Sequence, residues 1–212
     1  DTVYLTIEVE VGGAMSGYVV RGQVTGDLDS IRLDPDSLQA IELPAEIYNM
    51  SAESLLLAGG ELLTLYEANG ARLLADPVAQ RFSTSLEPLG ELPFPNIEYR
   101  ITDTTQPDAD GRFWAINYFF PLDVRLITFR DPLVSDYGEG ATNARMPGVE
   151  RLVELQYTEE GISRVDQAPL YLRMVGVTGR NWEGIARLDE RGLLIVSDRH
   201  PDTILGFVPF EE

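Results

Sequence analysis

The sequence lacks several residue types on which common protein chemistry depends. It contains no cysteine, which excludes disulfide bonds, thiol catalysis and cysteine-ligated zinc. All 16 basic residues are arginine, so no lysine is available to form a Schiff base or to act as a general base. The only histidine is His200, and this excludes a metal site built from several histidines.

Positive charge is scarce and long apolar runs are absent. The chain carries 35 acidic against 16 basic residues, a net charge of −19. Binding to nucleic acid or to an anionic membrane surface requires a basic face, so we expect neither as a partner. No run reaches the roughly 18 apolar residues that a membrane-spanning helix needs. The classes of partner still open are a cation, a small-molecule ligand and a protein.

What the chain does contain is a series of strand patterns separated by turn residues. Runs rich in β-branched and aromatic residues predict strands, while Gly-Gly, Asp-Gly and Arg-Gly pairs lie between several of them. No segment keeps a 3.6-residue apolar period over three turns. We therefore predict an all-β fold, with strands at 3–11, 17–25, 54–57, 61–67, 97–102, 112–120, 151–158, 170–175, 192–198 and 203–210.

A two-strand unit recurs along the chain. AESLLLAGGELLTLYE (52–67) and WEGIARLDERGLLIVSD (182–198) share a glutamate, an apolar strand, a Gly-containing turn and a second apolar strand that ends in an acid. A third copy, 97–118, has a longer turn and places Asn117 near the position of that acid. VYLTIE (3–8) matches a second strand whose first strand is missing. Repeated units of this length predict a β-propeller with four recognisable blades, within a ring of about five or six.

In a propeller, the start of each first strand and the end of each second strand lie at the same mouth of the central channel. The repeated polar residues are therefore expected to converge there and to bind a hard cation such as Ca²⁺, which takes about six to eight oxygen ligands. The alternative is that these acids are solvated strand ends. The candidate metal ligands are Glu8, Glu53, Glu67, Asn117, Glu183 and Asp198.

AESLLL, WEGIARL and LLIVSD together resemble the motifs of secreted bacterial β-propellers of the esterase-like or phytase-like group. They are more remotely similar to those of the senescence-marker and gluconolactonase propellers. The resemblance implies a secreted or periplasmic protein with Ca²⁺, or another divalent cation, near the channel. By motif match, the ligands carried over are Glu53, Asn117, Glu183 and Asp198.

The resemblance also implies a possible activity, the hydrolysis of an ester, a lactone or a phosphoester. Asp198 or Glu183 would act as the base, and Arg180 would stabilise an anion. The alternative is a non-catalytic propeller that binds a ligand or a protein partner and holds a structural cation. Residues 1–212 are expected to form a single propeller domain that lacks an N-terminal blade segment.

Overall fold

The computed structural model describes residues 1–26, 29–128, 130–174 and 179–210. The last residue of the predicted strand 170–175 lies outside these ranges. Helical structure is limited to α1 (Pro132–Tyr137) and three single 3₁₀ turns in the described part of the chain. The strands are β1 (Thr2–Val11), β2 (Ala14–Thr25), β3 (Ser30–Leu33), β4 (Gln39–Ile41), β5 (Ala52–Ala58), β6 (Glu61–Tyr66), β7 (Val78–Phe82), β8 (Pro88–Pro93), β9 (Arg100–Thr104), β10 (Arg112–Phe119), β11 (Val149–Thr158), β12 (Gly161–Arg164), β13 (Leu170–Tyr171), β14 (Trp182–Leu188), β15 (Gly192–Ser197) and β16 (Leu205–Pro209).

These strands form four small antiparallel sheets arranged in a ring. Sheet 1 contains β1–β4, sheet 2 contains β5–β8, sheet 3 contains β9–β13 and sheet 4 contains β14–β16. The arrangement is that of a β-propeller with four blades, and it confirms the all-β propeller prediction. No helix in the described ranges is long and apolar enough to cross a membrane.

Each sheet packs on the next through its own buried apolar cluster. Val19 and Ile41 of sheet 1 pack against Leu62 and Phe82 of sheet 2. Sheets 2 and 3 share a larger cluster, and sheets 3 and 4 meet around Trp182. Burial of these faces is the main favourable term for such a fold, at roughly 25 cal/mol per Å² of apolar surface.

Close to the axis, β5 packs against both β1 and β9, and β9 also packs against β14. β1 runs in the opposite direction to β5, because Tyr4 packs in the cluster that contains Leu55 while Thr6 donates a hydrogen bond to the Glu53 carbonyl at 3.0 Å. Second strands run in this direction, and the repeat predicted VYLTIE to be a second strand. Glu8 is thereby placed at the same end of the ring as Glu53.

Candidate functional site

Glu53 and Glu183 occupy equivalent positions in two blades, each within a β-bulge. The register between β5 and β6 shifts between Ala52 and Ser54, and that between β14 and β15 shifts between Trp182 and Gly184. In each case the glutamate is the extra residue. A bulge releases a residue from the ladder and changes the direction of its side chain, so the local sequence that opens both first strands sets these carboxylates apart from the sheet.

Three carboxylates from two sheets meet at the channel mouth. One oxygen each of Glu8, Glu53 and Glu67 lies within 4.8 Å of the other two. Glu67 follows β6 and is fully buried, Glu53 is half-buried and Glu8 is exposed. The group, which we call the carboxylate cluster, therefore extends from the protein interior to solvent.

Arg100, the first residue of β9, supplies positive charge beside the cluster. Its guanidinium Nε donates to Glu67 Oε1, and its Nη1 lies 3.7 Å from Asp123 Oδ2. Glu67 Oε2 is also buried but accepts no hydrogen bond from the described residues. One oxygen of a fully buried carboxylate thus remains without a donor at the cluster.

The electrostatics of the cluster favour protons in the absence of another cation. Burial, followed by the negative charges of Glu67 and Glu183, raises the pKa of Glu53 to about 9 against the opposing effect of Arg100. Burial raises the pKa of Glu67 to about 7, although the Arg100 guanidinium lowers it. Near neutral pH the cluster therefore carries less negative charge than its number of acids suggests.

Glu183 and Asp198 form a second acidic pair at the edge of the cluster. Asn181 Nδ2 donates to Glu183 Oε1 at 2.5 Å and to the Asp198 carbonyl at 2.9 Å. Burial raises the pKa of Glu183, and the charge of the exposed Asp198 raises it further. Because Glu183 also raises the pKa of Glu53, the pair lies within electrostatic range of the carboxylate cluster.

Asn117 is placed in a different network, in the interior of sheet 3. Its Nδ2 donates to the carbonyls of Glu98 and Arg100 at 2.7 and 3.0 Å, and its Oδ1 accepts from Arg151 Nε at 2.7 Å. Arg151 is fully buried and also forms an ion pair with Asp131. The amide is thus fully engaged in holding the backbone where β9 begins.

Arg180 is also engaged away from the carboxylate cluster. Its Nε donates to Glu150 Oε2 at 2.9 Å, and its guanidinium lies 5.0 Å from the centre of the Trp182 ring. The Trp182 indole N–H donates to the same Glu150 oxygen at 3.1 Å. The structure gives Arg180 the role of bridging sheets 3 and 4.

The repeat did not indicate which acid each buried arginine contacts. Arg100 contacts Glu67 across 33 positions of sequence, and Asp131 meets Arg151 across 20. Asp131 and Arg151 also line a cavity of about 340 Å³ beneath the segment that contains α1. Neither contact recurs in the other copies of the repeat, so the spacing of residues could not predict them.

The carboxylate cluster fits a hard divalent cation. Its donors are all oxygen, they lie close together, and one buried oxygen has no hydrogen-bond donor. Apart from the Glu67 oxygen that pairs with Arg100, the three carboxylates supply up to about five ligand oxygens, and the exposed Glu8 leaves room for water. No family model and no curated protein matches this chain.

Proposed function

We propose that the protein binds a divalent cation, Ca²⁺ in preference to others, at the carboxylate cluster of Glu8, Glu53 and Glu67. The observation that carries this proposal is the buried Glu67 Oε2, which accepts no hydrogen bond from the described residues although two further carboxylates lie close to that of Glu67. A buried carboxylate oxygen without a hydrogen-bond donor is costly. A cation shared by the three acids would remove that cost.

The chemistry of the donors selects the metal. Carboxylate oxygens suit Ca²⁺, Mg²⁺ and Mn²⁺, whereas zinc and copper favour thiolate and imidazole ligands. Mg²⁺ requires nearly ideal octahedral geometry, and Ca²⁺ accepts irregular sites with bidentate carboxylates. Acids from two sheets, with burial that ranges from complete to slight, form an irregular site. This favours Ca²⁺.

The bound cation would act first as a structural element. Glu8 belongs to sheet 1, Glu53 belongs to sheet 2 with Glu67 directly after its strand β6, and Glu183 of sheet 4 adds its charge nearby. Neutralising these acids would allow three blades to approach the axis without mutual repulsion. We propose a non-catalytic, ligand-binding propeller with a structural cation, whose open face at Glu8 meets the ligand.

Hydrolysis of an ester, lactone or phosphoester stays a prediction from the resemblance to esterase-like and phytase-like propellers, as does secretion or export to the periplasm. Glu183, with its raised pKa and its hydrogen bond from Asn181, is the better placed of the two predicted bases. Arg180, the predicted anion stabiliser, is paired with Glu150. This pairing is why we place binding before catalysis.

Isothermal titration of chelator-treated protein with CaCl₂, at about pH 8 where the acids are more fully ionised, tests the proposal. We expect saturable binding to the unaltered chain and its loss in Glu53→Gln and Glu67→Gln. Glu10→Gln is the matched control, because Glu10 lies on the same face of β1 as Glu8 but outside the cluster.

Ca²⁺ should also raise the melting temperature of the unaltered chain and of Glu10→Gln by mass action. An unchanged melting temperature and the absence of binding heat in about 10 mM CaCl₂, above the range of even weak calcium modules, would show that the cluster is only a solvated group of acids.

A further inference from the structure

Sheet 1 presents an apolar face on the side away from sheet 2. Side chains alternate along a strand, and the even-numbered Tyr4 and Thr6 face sheet 2. The opposite face of β1 is apolar throughout, and β3 extends it because Gly22 pairs with both Val3 and Leu33. Its members are Val3, Leu5, Ile7, Val9, Val11, Ile31 and Leu33. Val11 is 70% exposed and Ile31 is 50% exposed.

Sheet 4 presents a similar face on the side away from sheet 3. Leu193 and Ile195 pack against sheet 3, so Leu194 and Val196 face the other way. β16 adds their partners, since Phe207 pairs with Leu194 and Leu205 pairs with Val196. Leu205 is 72% exposed and Phe207 is 50% exposed. Apolar patches of this kind on a soluble surface mark interaction sites.

The two faces border one gap in the ring, which we call the wedge. Buried clusters join sheet 1 to 2, 2 to 3 and 3 to 4. In the described part of the chain no such cluster joins sheet 4 to sheet 1. The two sheets nevertheless approach each other at the axis, where Glu8 adds to the negative charge around Glu183. The wedge therefore opens outward from the channel.

β1 also offers unpaired backbone groups on the edge that faces away from β2. The Gly12–Gly13 turn, with φ of 63° and 88°, joins Val11 directly to Ala14. Odd-numbered residues of β1 therefore form the hydrogen-bonded pairs with β2, and the N–H and C=O groups of even-numbered residues point outward. No strand of the described chain pairs with this edge.

We propose that an extended segment of another polypeptide adds to the free edge of β1, antiparallel to it, and that its apolar residues enter the wedge. Strand addition satisfies the outward N–H and C=O groups, and alternating side chains give specificity. The added strand would take the first-strand position of blade 1, parallel to β5, β9 and β14.

The charge at the channel mouth defines the chemistry of the added strand. An antiparallel partner of β1 begins beside Glu10 and Glu8, close to Glu53. β9 begins at the corresponding place in its own sheet with Arg100, whose guanidinium pairs with Glu67. The partner strand would likewise begin with a basic residue. A second copy of this chain fits less well, because each copy carries a net charge of −19 and the two would repel each other.

The test uses a fluorescently labelled synthetic peptide that begins with Arg and continues with alternating Val and Thr. Anisotropy titration should show binding in a one-to-one ratio, and a peptide that begins with Glu should bind at least about tenfold more weakly, a difference of about 1.4 kcal/mol. Hydrogen exchange followed by NMR should show protection of the Tyr4, Thr6, Glu8 and Glu10 amides when the peptide is bound.

Glu10→Pro and Glu10→Ala separate strand pairing from charge. Both variants remove the carboxylate, but only proline removes the outward N–H, and proline is tolerated on an edge strand. We expect Glu10→Pro to bind the peptide at least about tenfold more weakly than Glu10→Ala. Equal affinities, or no protection of the β1 amides, would overturn the proposal. A homodimer that protects the same amides would also overturn it, in favour of a second copy.

Discussion

At the scale of single residues, the position of Glu53 and Glu183 explains why apolar strands carry an acid near one end. Each is the extra residue of a β-bulge at the start of a first strand, so neither has to fit the alternation of the sheet. Glu67 and Asp198 follow the paired second strands. Antiparallel pairing brings the end of each second strand beside the start of its first strand, so Glu67 lies near Glu53 and Asp198 lies near Glu183. Strand geometry alone therefore accounts for these two pairs of acids.

Stability should depend on pH through the carboxylate cluster. The pKa of Glu67 is raised to about 7 and that of Glu53 to about 9, so the folded state binds more protons than the unfolded state above about pH 4.3, the usual value for glutamate. This contribution is fully present below that value and is lost as the pH rises through about 7 and about 9. With chelator present, urea denaturation should therefore show a falling free energy of unfolding from about pH 5 to about pH 9.

Glu53→Gln should flatten this dependence. At about pH 8 the variant should be more stable than the unaltered chain by about 1 to 2 kcal/mol, because glutamine removes the cost of keeping Glu53 protonated in the folded state at a pH where it ionises in the unfolded state. Glu10→Gln should keep the original slope. A free energy of unfolding that rises with pH over the same range, or an equal slope in Glu53→Gln, would contradict the assignment.

Arg100 should be required for the ring in the absence of a divalent cation. Arg100→Met leaves the Glu67 carboxylate buried beside the other acids without its guanidinium partner, a change that typically costs about 3 to 5 kcal/mol. Arg191→Met is the control, since its pair with Asp189 is exposed. Thermal melts in chelator should separate the two variants, and CaCl₂ should restore part of the loss in Arg100→Met. Equal melting temperatures of the two variants would show that Arg100 does not stabilise the fold in this way.

At the scale of elements, sheet 3 departs from the repeat at the channel mouth. Where sheet 2 has Glu67 and sheet 4 has Asp198, sheet 3 has Asn117, whose amide binds the carbonyls of Glu98 and Arg100. Glu98 has a φ of 58° and Tyr99 a φ of 63°, in the left-handed region that non-glycine residues seldom adopt. Asn117 thus stabilises the turn that places Arg100 beside Glu67.

Asn117→Ala should therefore lower the stability of the fold and leave calcium affinity unchanged. The change removes one donor from the carbonyls of Glu98 and Arg100 and the acceptor of Arg151 Nε, so we expect a loss of about 2 to 4 kcal/mol in urea denaturation. Calcium titration of the folded variant should give an unchanged affinity. Lost calcium binding with unchanged stability would instead support the prediction that Asn117 is a metal ligand.

The sequence predicted the inner pairs of strands better than the outer ones. Most second strands are rich in apolar residues, and the two-strand units repeat. β3, β4, β7, β8 and β12 were missed, because outer strands are short and several are polar, and β8 begins and ends with proline. At the site, repetition indicated Glu8, Glu53 and Glu67. It placed Asn117 with them as well, because a pattern records position along a strand and not the partner of a side chain.

At the scale of the whole molecule, the four sheets are unequally supported. Sheets 2 and 3 are each packed on both faces, whereas sheets 1 and 4 are packed on one. The cluster between sheets 1 and 2 is also small, and Val19 and Ile41 are the fully buried side chains that sheet 1 contributes to it. Local stability follows the amount of buried apolar contact.

Sheet 1 should therefore open before the rest of the ring. In native-state hydrogen exchange, amides of β2 should exchange faster than those of β6 and β10, and low urea concentrations should accelerate exchange in sheet 1 alone. A peptide bound in the wedge should slow this opening selectively. Equal exchange free energies in β2, β6 and β10 would show that the ring unfolds as a single cooperative unit.

The contact between sheets 3 and 4 has a spectroscopic consequence. Both tryptophans of the chain, Trp114 and Trp182, lie in this cluster. Tryptophan emission, excited at the red edge of protein absorption, therefore reports on the interface between sheets 3 and 4. It does not report on the contact between sheets 1 and 2. Trp182 directly precedes Glu183, and its indole N–H is bonded to Glu150. Trp182 is thus an intrinsic optical probe beside the channel mouth, with no label required.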